Sequence, residues 1–152
     1  MTVRCGPAAR DDLPQLVVLL RTLFAQEAEF AADAAKQETA LRMLFDDPAL
    51  GRLYVARDGA TVVAMACLLF TVSTAEGGRA GLFEDFVVRK DRRGQGIGAA
   101  LLAYVVEQAR AEGLLRLTLL TDRQNDRAQA LYRKLGFVDS PMKPMRLSIK
   151  PK

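Results

Sequence analysis

The sequence predicts an α/β fold, because short apolar runs of strand length alternate with amphipathic helices and one strand–turn–helix unit stands out. In that unit the apolar run 86–88 leads into a basic, glycine-rich turn over 89–98, which is followed by apolar residues at helical spacing. The next apolar run, 114–120, completes a strand–helix–strand unit and predicts a parallel, right-handed crossover. Asp58-Gly59 predicts a hairpin turn, and Gly77-Gly78 marks the next turn between strands. Together these observations predict an α/β domain.

The remaining elements follow from periodicity and turn residues. Helices are predicted where apolar residues recur every three or four positions, and strands where short apolar runs lie between turn residues. Asp11 or Asp12 is expected to cap the first helix, with Pro14 in its first turn, and Pro48 stops the second helix. In order, the predicted elements are a strand over 2–5, a helix closing at 26–29, a helix over 37–45, strands over 52–56, 61–72 and 82–88, a helix over 96–111, a strand over 114–120, a helix over 125–135 and a final strand over 145–149.

Length and composition limit the class of protein. A chain of 152 residues is the size of one domain, predicted here to span 1–152. No apolar run approaches the ~20 residues that cross a bilayer, so no membrane partner is expected. The chain lacks histidine and Cys-x-x-Cys, which argues against a metal site and histidine-based triads. Cys5 and Cys67 are expected to be reduced, buried thiols of a cytoplasmic protein.

The basic cluster Arg89–Arg93 beside the glycines is a candidate anion site. The net charge of +4 mildly favours anionic ligands, but no dense basic face with aromatic residues suggests nucleic acid. Glycines let the backbone approach a ligand, and helix N-terminal N–H groups attract phosphate. The turn lacks the Lys-Ser/Thr of a Walker A loop. It matches the dinucleotide pattern Gly94-x-Gly96-x-x-Ala99, but without an acidic residue at the required spacing. A solvated basic face is the alternative.

Three linked segments carry a resemblance to a known family. They are the strand Glu84-Asp85-Phe86-Val87-Val88, the turn Arg93-x-x-Gly96-x-Gly98, and the helix Asn-x-x-Ala-x-x-Leu-Tyr-x-Lys-Leu-Gly-Phe over 125–137. In this order they resemble the coenzyme A motifs of the GCN5-related N-acetyltransferases (GNAT). The pattern Leu-x-Glu-Asp-x-x-Val over 82–88 is most similar to the diamine/polyamine (spermidine/spermine-type) and thialysine acetyltransferases. Gln26 and Gln124 depart from the polyamine enzymes, where aromatic residues are common.

The resemblance implies a fold, a reaction and a set of contacts. The implied fold is a mixed, mostly antiparallel sheet, splayed at its centre, with helices on both faces. The implied reaction is transfer of the acetyl group of acetyl-CoA, a co-substrate, to a primary amine by direct attack in a ternary complex, without a metal. Small GNAT proteins are often homodimers. The residues implied to bind acetyl-CoA are Phe86, Val87, Val88, Arg93, Gly94, Gln95, Gly96, Ile97, Gly98, Ala99, Asn125, Ala128, Tyr132 and Lys134.

The resemblance also assigns roles in catalysis. The Val88 N–H is the expected oxyanion donor, and the Tyr132 hydroxyl is expected to protonate the departing thiolate. Glu84 is the candidate base, because a substrate ammonium of pKa ~10.4 must first lose a proton. A packed core tyrosine and a structural carboxylate at the strand end are the alternatives for these two side chains.

The acceptor side is expected to be acidic. Glu27, Glu84 and Asp85 are the candidate substrate-binding residues, with Glu29 and Asp33 adding negative charge, although a solvated face explains the helix-end carboxylates equally well. Asp85 is expected to point to the opposite strand face from Glu84. Two other functions stay open, namely a protein or peptide N-acetyltransferase and a non-catalytic acyl-CoA sensor. The sensor would keep the turn over 93–99 but would not need Glu84 or Tyr132.

Overall fold

A computed structural model of the chain describes residues 2–27 and 31–151. The chain divides into two compact units, Met1–Asp122 and Arg123–Lys152. The first unit holds β1 (Val3–Pro7), α1 (Leu13–Gln26), α2 (Ala34–Asp46), β2 (Gly51–Asp58), β3 (Thr61–Ser73), β4 (Gly78–Val88), α3 (Ile97–Ala111) and β5 (Leu117–Leu119), and the second holds α4 (Asp126–Lys134).

The five strands of the first unit form one sheet in the order β1-β2-β3-β4-β5. The first three neighbouring pairs are antiparallel, and β4 and β5 are parallel. The helix α3 connects the parallel pair, as the strand–helix–strand pattern predicts. The mixed, mostly antiparallel sheet predicted from the sequence is therefore confirmed. The strand β5 is shorter than the predicted 114–120. It begins later because Leu114 still belongs to the turn that ends α3, where its N–H donates to the carbonyl of Ala109.

The helices α1 and α2, which lie between β1 and β2 in the chain, begin differently from the prediction. Pro14 lies in the first turn of α1 as expected, but neither predicted aspartate caps that helix by a side-chain hydrogen bond. Asp12 instead accepts from Ala9 N–H at 2.7 Å and pairs with Arg57, which holds the pKa of this carboxyl below its ordinary value. The helix α2 begins at Ala34, three residues before the predicted start, because Asp33 accepts from Lys36 N–H and caps it.

Alternation along the strands gives the sheet two buried faces. One face packs against leucines of α1 and α2, including Leu16, Leu20 and Leu41, and contains Met65 and Val87 of β3 and β4. The other buried set includes fully enclosed residues of α3, spaced three or four apart as an apolar helix face requires. The sheet is thus held as a rigid scaffold, and β4 lies inside it rather than at an edge.

The second unit contains α4 and the chain that follows it. The helix agrees closely with the predicted 125–135, and Gly136 follows it with φ +102°, a conformation that suits glycine at a helix end. The predicted final strand over 145–149 is wrong. This segment has no regular secondary structure, and Met145, Leu147 and Ile149 are exposed. Apolar alternation does not make a strand where no neighbouring strand supplies hydrogen bonds.

Among the helices in the described ranges, none has both the length and the apolarity needed to cross a bilayer.

Candidate active site

The strand β4 has two halves with different neighbours. Residues Gly81–Phe83 pair with β5, whereas β3 pairs with β4 from Gly78 to Val88. Beyond Phe83, the half of β4 from Glu84 to Val88 therefore has β3 on one side and no paired strand on the other, within the described part of the chain. We call this half the open half of β4. It is the opening between neighbouring strands that the family resemblance implies.

The register identifies which backbone groups face this opening. Val88 lies opposite Ala64, and the next N–H, that of Arg89, donates to the carbonyl of Val63 at 2.8 Å. In an antiparallel ladder this pattern makes Val88 and Ala64 a non-hydrogen-bonded pair. The N–H and C=O groups of Val88 consequently point away from β3, toward the open side. Val87, the preceding residue, pairs with Met65 as a hydrogen-bonded pair, so its backbone groups point toward β3. Its side chain is buried.

The turn after β4 has the conformation that its glycines predict. Gly94 and Gly96 have φ values of +77° and +81°, in the left-handed region where a side chain would be strained. Gly96 is the N-cap of the 15-residue helix α3 and offers no side-chain cap. The N–H groups of Ile97, Gly98 and Ala99 are therefore the unsatisfied donors of a long helix, next to an open strand edge.

The basic residues around this turn are not equivalent. Arg89 forms a bidentate pair with Asp91, and Arg92 pairs with Asp58 at 3.1 Å. Arg93 instead donates through Nε to the carbonyl oxygen of Val88 at 3.1 Å, a neutral acceptor. The positive charges of Arg89 and Arg92 are thus partly compensated by carboxylates. This leaves Arg93 as the arginine best suited to attract an anion.

Three carboxylates cluster at the start of the open half. A register shift places Asp85 and Phe86 of β4 opposite the single residue Ala66 of β3, and Asp85 has φ +53°. This bulge interrupts the strict alternation on which the predicted direction of the Asp85 side chain depends. Burial raises the pKa of Asp85 to about 6, with further increases from the nearby charges of Glu84 and Glu27. Asp85 therefore lies within electrostatic reach of both Glu84 and Glu27.

The remaining predicted acidic residues are Asp33 and Glu29. Asp33 serves as the N-cap of α2, and Glu29 lies outside the described residues. Glu27 directly follows the last residue of α1, and its backbone N–H donates to the carbonyl of Phe24. Cys67 lies opposite Glu84 on β3, and burial raises the pKa of its thiol, so it is not an activated nucleophile. Cys67 is buried as predicted, whereas Cys5 is half-buried.

The second unit carries the remaining predicted site residues on or beside α4. Asn125 is the N-cap of this helix, and its side-chain oxygen accepts from Ala128 N–H at 3.2 Å. Tyr132 is the buried residue of α4, and its ring packs edge-on against Phe137 at a centroid distance of 5.8 Å. Burial raises the pKa of this phenol to about 12. Lys134 ends the helix.

One contact of the site has no local sequence signal. Gln26, the last residue of α1, faces Arg93 through its side-chain amide. The sequence distinguishes Gln26 only by its departure from the polyamine enzymes, where an aromatic residue is common. Nothing in a single sequence indicates a contact between two residues so far apart, and covariation across relatives would be the signal that could reveal it.

Comparison with known proteins identifies the family. The profile described as the acetyltransferase (GNAT) family matches residues 17–137. The chain is 38% identical over 69 residues to the L-methionine sulfoximine/L-methionine sulfone acetyltransferase of Pseudomonas aeruginosa, covering 45% of this chain and 40% of the relative. It is also 38% identical over 81 residues to the thialysine N-epsilon-acetyltransferase of Bos taurus, covering 53% and 47%. The matches thus span less than half of either relative.

Solved structures agree over nearly the whole chain. An integron cassette protein from the mobile metagenome of Cole Harbour Salt Marsh superimposes with a TM-score of 0.84 at 30% identity, over 97% of this chain and 91% of that one. A predicted acetyltransferase of Clostridium acetobutylicum, solved with acetyl-CoA, has a TM-score of 0.78 at 19% identity and covers 97% of both chains. The second likeness shows the shared fold. Because the family profile covers more than half of its residues, this chain belongs to the GNAT family of acetyltransferases.

Proposed function

We propose that this protein transfers the acetyl group of acetyl-CoA to a primary amine of a small molecule, by direct attack in a ternary complex. The observation that carries the proposal is the Val88 N–H, which points to the open side of β4 immediately before the glycine turn. A donor in that position suits the thioester carbonyl of an acetyl-CoA molecule whose pyrophosphate binds at the turn. The family to which the chain belongs uses acetyl-CoA.

The proposed acetyl-CoA contacts follow from the donors described above. The pyrophosphate would bind the N–H groups of the turn and of the first turn of α3, with Arg93 supplying positive charge. The amide groups of pantetheine would pair with the open half of β4, as an added strand pairs with a sheet edge. Asn125, Ala128 and Lys134 are proposed to contact the same co-substrate from α4.

The proposed chemistry needs three groups. The amine attacks the thioester carbon, and the Val88 N–H stabilises the negative charge that develops on the carbonyl oxygen. Before the attack, Glu84 accepts a proton from the substrate ammonium, through water or directly, which frees the lone pair of the nitrogen. As the tetrahedral intermediate collapses and the C–S bond breaks, the nitrogen loses its second proton to solvent, and solvent later restores the proton that the phenol gives to the thiolate. The hydroxyl of Tyr132, whose raised pKa of about 12 keeps it protonated at neutral pH, donates a proton to the departing thiolate.

The acidic cluster supports a cationic acceptor. The carboxylates of Glu27 and Glu84 lie within electrostatic reach of Asp85 and raise its pKa, and a positive amine nearby would offset that repulsion. Two relatives are named for acetylating thialysine and methionine sulfoximine or sulfone, which are amino-acid-like amines. We therefore propose a diamine, polyamine or amino-acid-like acceptor. We further propose a single domain over 1–152 that acts in the cytoplasm as a homodimer, without a nucleic-acid or membrane partner.

The test is release of free thiol from acetyl-CoA with a panel of polyamines, aminoalkyl-cysteines, amino acids and peptides. Acceptor-dependent thiol release, with a product heavier by one acetyl group, is the expected result. Turnover only with peptides would replace the small-molecule acceptor by a protein one. Binding of acetyl-CoA without turnover would indicate a sensor, and absence of binding would overturn the proposal.

The role of Tyr132 has its own test. Tyr132→Phe removes the hydroxyl but keeps the ring that packs against Phe137. Loss of a general acid should lower kcat about 100-fold, while the Kd for acetyl-CoA stays within a few fold. An unchanged kcat would show that this tyrosine only packs.

A further inference from the structure

The contact between Gln26 and Arg93 joins two regions that the proposed reaction uses separately. One terminal atom of the Gln26 amide lies 2.8 Å from Nη2 of Arg93 and 3.3 Å from Nη1. Because both of these nitrogens are donors, we assign the amide oxygen to this position, where it accepts from both terminal nitrogens of Arg93. The Nε of the same side chain donates to the carbonyl oxygen of Val88. A single arginine thus connects the end of α1, next to Glu27, with the end of the open half of β4.

The geometry of Arg93 leaves room for an anion. A guanidinium has five N–H donors in a fixed plane. One is used on Val88 and one from each terminal nitrogen on Gln26, so one N–H on each terminal nitrogen remains, and either can donate to an anion. Both partners are neutral, so the contacts fix the orientation of the guanidinium without cancelling its charge. Contact with Gln26 and attraction of a phosphate are therefore compatible.

The orientation of Arg93 also bears on the peptide groups around Val88. Both atoms of the peptide between Val88 and Arg89 are held, the N–H by the carbonyl of Val63 and the C=O by Nε of Arg93. Because Arg93 occupies the carbonyl oxygen of Val88, the Val88 group that remains available on the open side is its N–H donor. This contact also removes a partial negative charge from the place where an oxyanion would form.

We propose that Gln26 is a positioning residue that holds Arg93 over the Val88 carbonyl and so orients the Val88 N–H for acetyl transfer. The kinetic part of this inference rests on the proposed acetyltransferase function. The contact itself does not, because it exists in the protein without co-substrate. Gln26 is exposed at a helix end, so its replacement leaves the core untouched.

The contact is tested first by nuclear magnetic resonance on the protein without ligand. The Nε–H group of Arg93, assigned by its loss in Arg93→Lys, should be as restrained on the nanosecond timescale as the backbone, and Gln26→Ala should make it mobile. Arg21, an exposed residue of the same helix, supplies the reference for a mobile side chain. An Arg93 signal in the wild type as mobile as that of Arg21 would overturn the proposal, whatever the activity of the protein.

The kinetic test uses a double-mutant cycle. Gln26→Ala should lower the acetyl-transfer rate at saturating acetyl-CoA roughly 3- to 10-fold, with the Kd for coenzyme A within twofold. Gln26→Glu, whose carboxylate can accept from both terminal nitrogens, should retain at least half of the rate, and Arg21→Ala should leave it unchanged. In an Arg93→Ala background, Gln26→Ala should have no further effect. An equal loss in both backgrounds would show that Gln26 does not act through Arg93. A wild type that fails to bind acetyl-CoA would instead refute the proposed function, and the resonance measurement would still decide the contact.

Discussion

The two halves of β4 contrast in what their backbone does. From Gly78 to Phe83 the strand lies in the interior of the sheet, and Gly81–Phe83 have paired neighbours on both sides. From Glu84 to Val88 the ladder to β3 continues, interrupted by the bulge at Asp85, but β5 has ended. The first half holds the sheet together, whereas the second points the Val88 N–H to the open side, beside an anion-attracting turn. One strand can therefore serve stability and binding in separate segments, and substitutions in each should have separable effects.

Removal of the Val88 N–H should have the largest effect on activity. Val88→Pro deletes the donor but breaks no ladder hydrogen bond to β3, because that N–H points to the open side. Loss of one oxyanion donor should lower kcat/KM about 100- to 1,000-fold. Val88→Ala, which keeps the N–H, is the matched control and should stay near wild type. Circular dichroism should show both variants folded, and similar activities would refute the donor role.

The bulge residue Asp85 should make stability depend on pH. Its folded-state pKa, raised to about 6, exceeds that of an unfolded aspartate, so the folded chain keeps a proton that the unfolded chain has lost. The contribution of Asp85 to stability is therefore greatest below about pH 4 and falls as pH rises toward 6, by up to about 3 kcal/mol. Urea unfolding at several pH values should show this loss in the wild type and not in Asp85→Asn. Parallel pH profiles would contradict the burial of this carboxyl.

Glu84→Gln tests the proposed base at the start of the open half. The variant should lose about 10-fold in kcat/KM at neutral pH, less than the ~100-fold or more that a general base usually contributes, because water can carry the proton. The loss should shrink at high pH, where more of the substrate amine is already deprotonated. A pH–rate profile measures both effects. Full activity of the variant at neutral pH would remove Glu84 as the base.

Gly81→Ala tests the paired half and should have the smallest effect on activity. A β-carbon there would lie 2.7 to 3.0 Å from side-chain carbons of Leu117, Leu68 and Leu114, so three leucines would have to shift. Overpacking of this kind costs about 1–2 kcal/mol of unfolding free energy. Denaturant unfolding should show that loss, while kcat per folded molecule stays within twofold. A large loss of activity without a loss of stability would contradict the claim that the paired half of β4 serves stability and the open half serves binding.

Prediction from the sequence succeeded where the signals were local. The turn after β4 and the start of α3 follow from glycines that adopt positive φ, and α4 follows from its Asn125 cap and apolar spacing. It failed where the structure depends on distant partners. The bulge at Asp85 requires a register between two strands, the Gln26–Arg93 contact requires the fold, and the segment over 145–149 has a strand pattern without a strand.

The central claim is that acetyl-CoA binds the open half of β4 and the turn that follows it. Amide hydrogen exchange, resolved to single residues, with and without acetyl-CoA measures this directly. The account predicts increased protection of the Val88 N–H and of the amides of Gly94–Ala99, and no change over Gly78–Phe83. Unchanged exchange at Val88 in the presence of bound acetyl-CoA would contradict it.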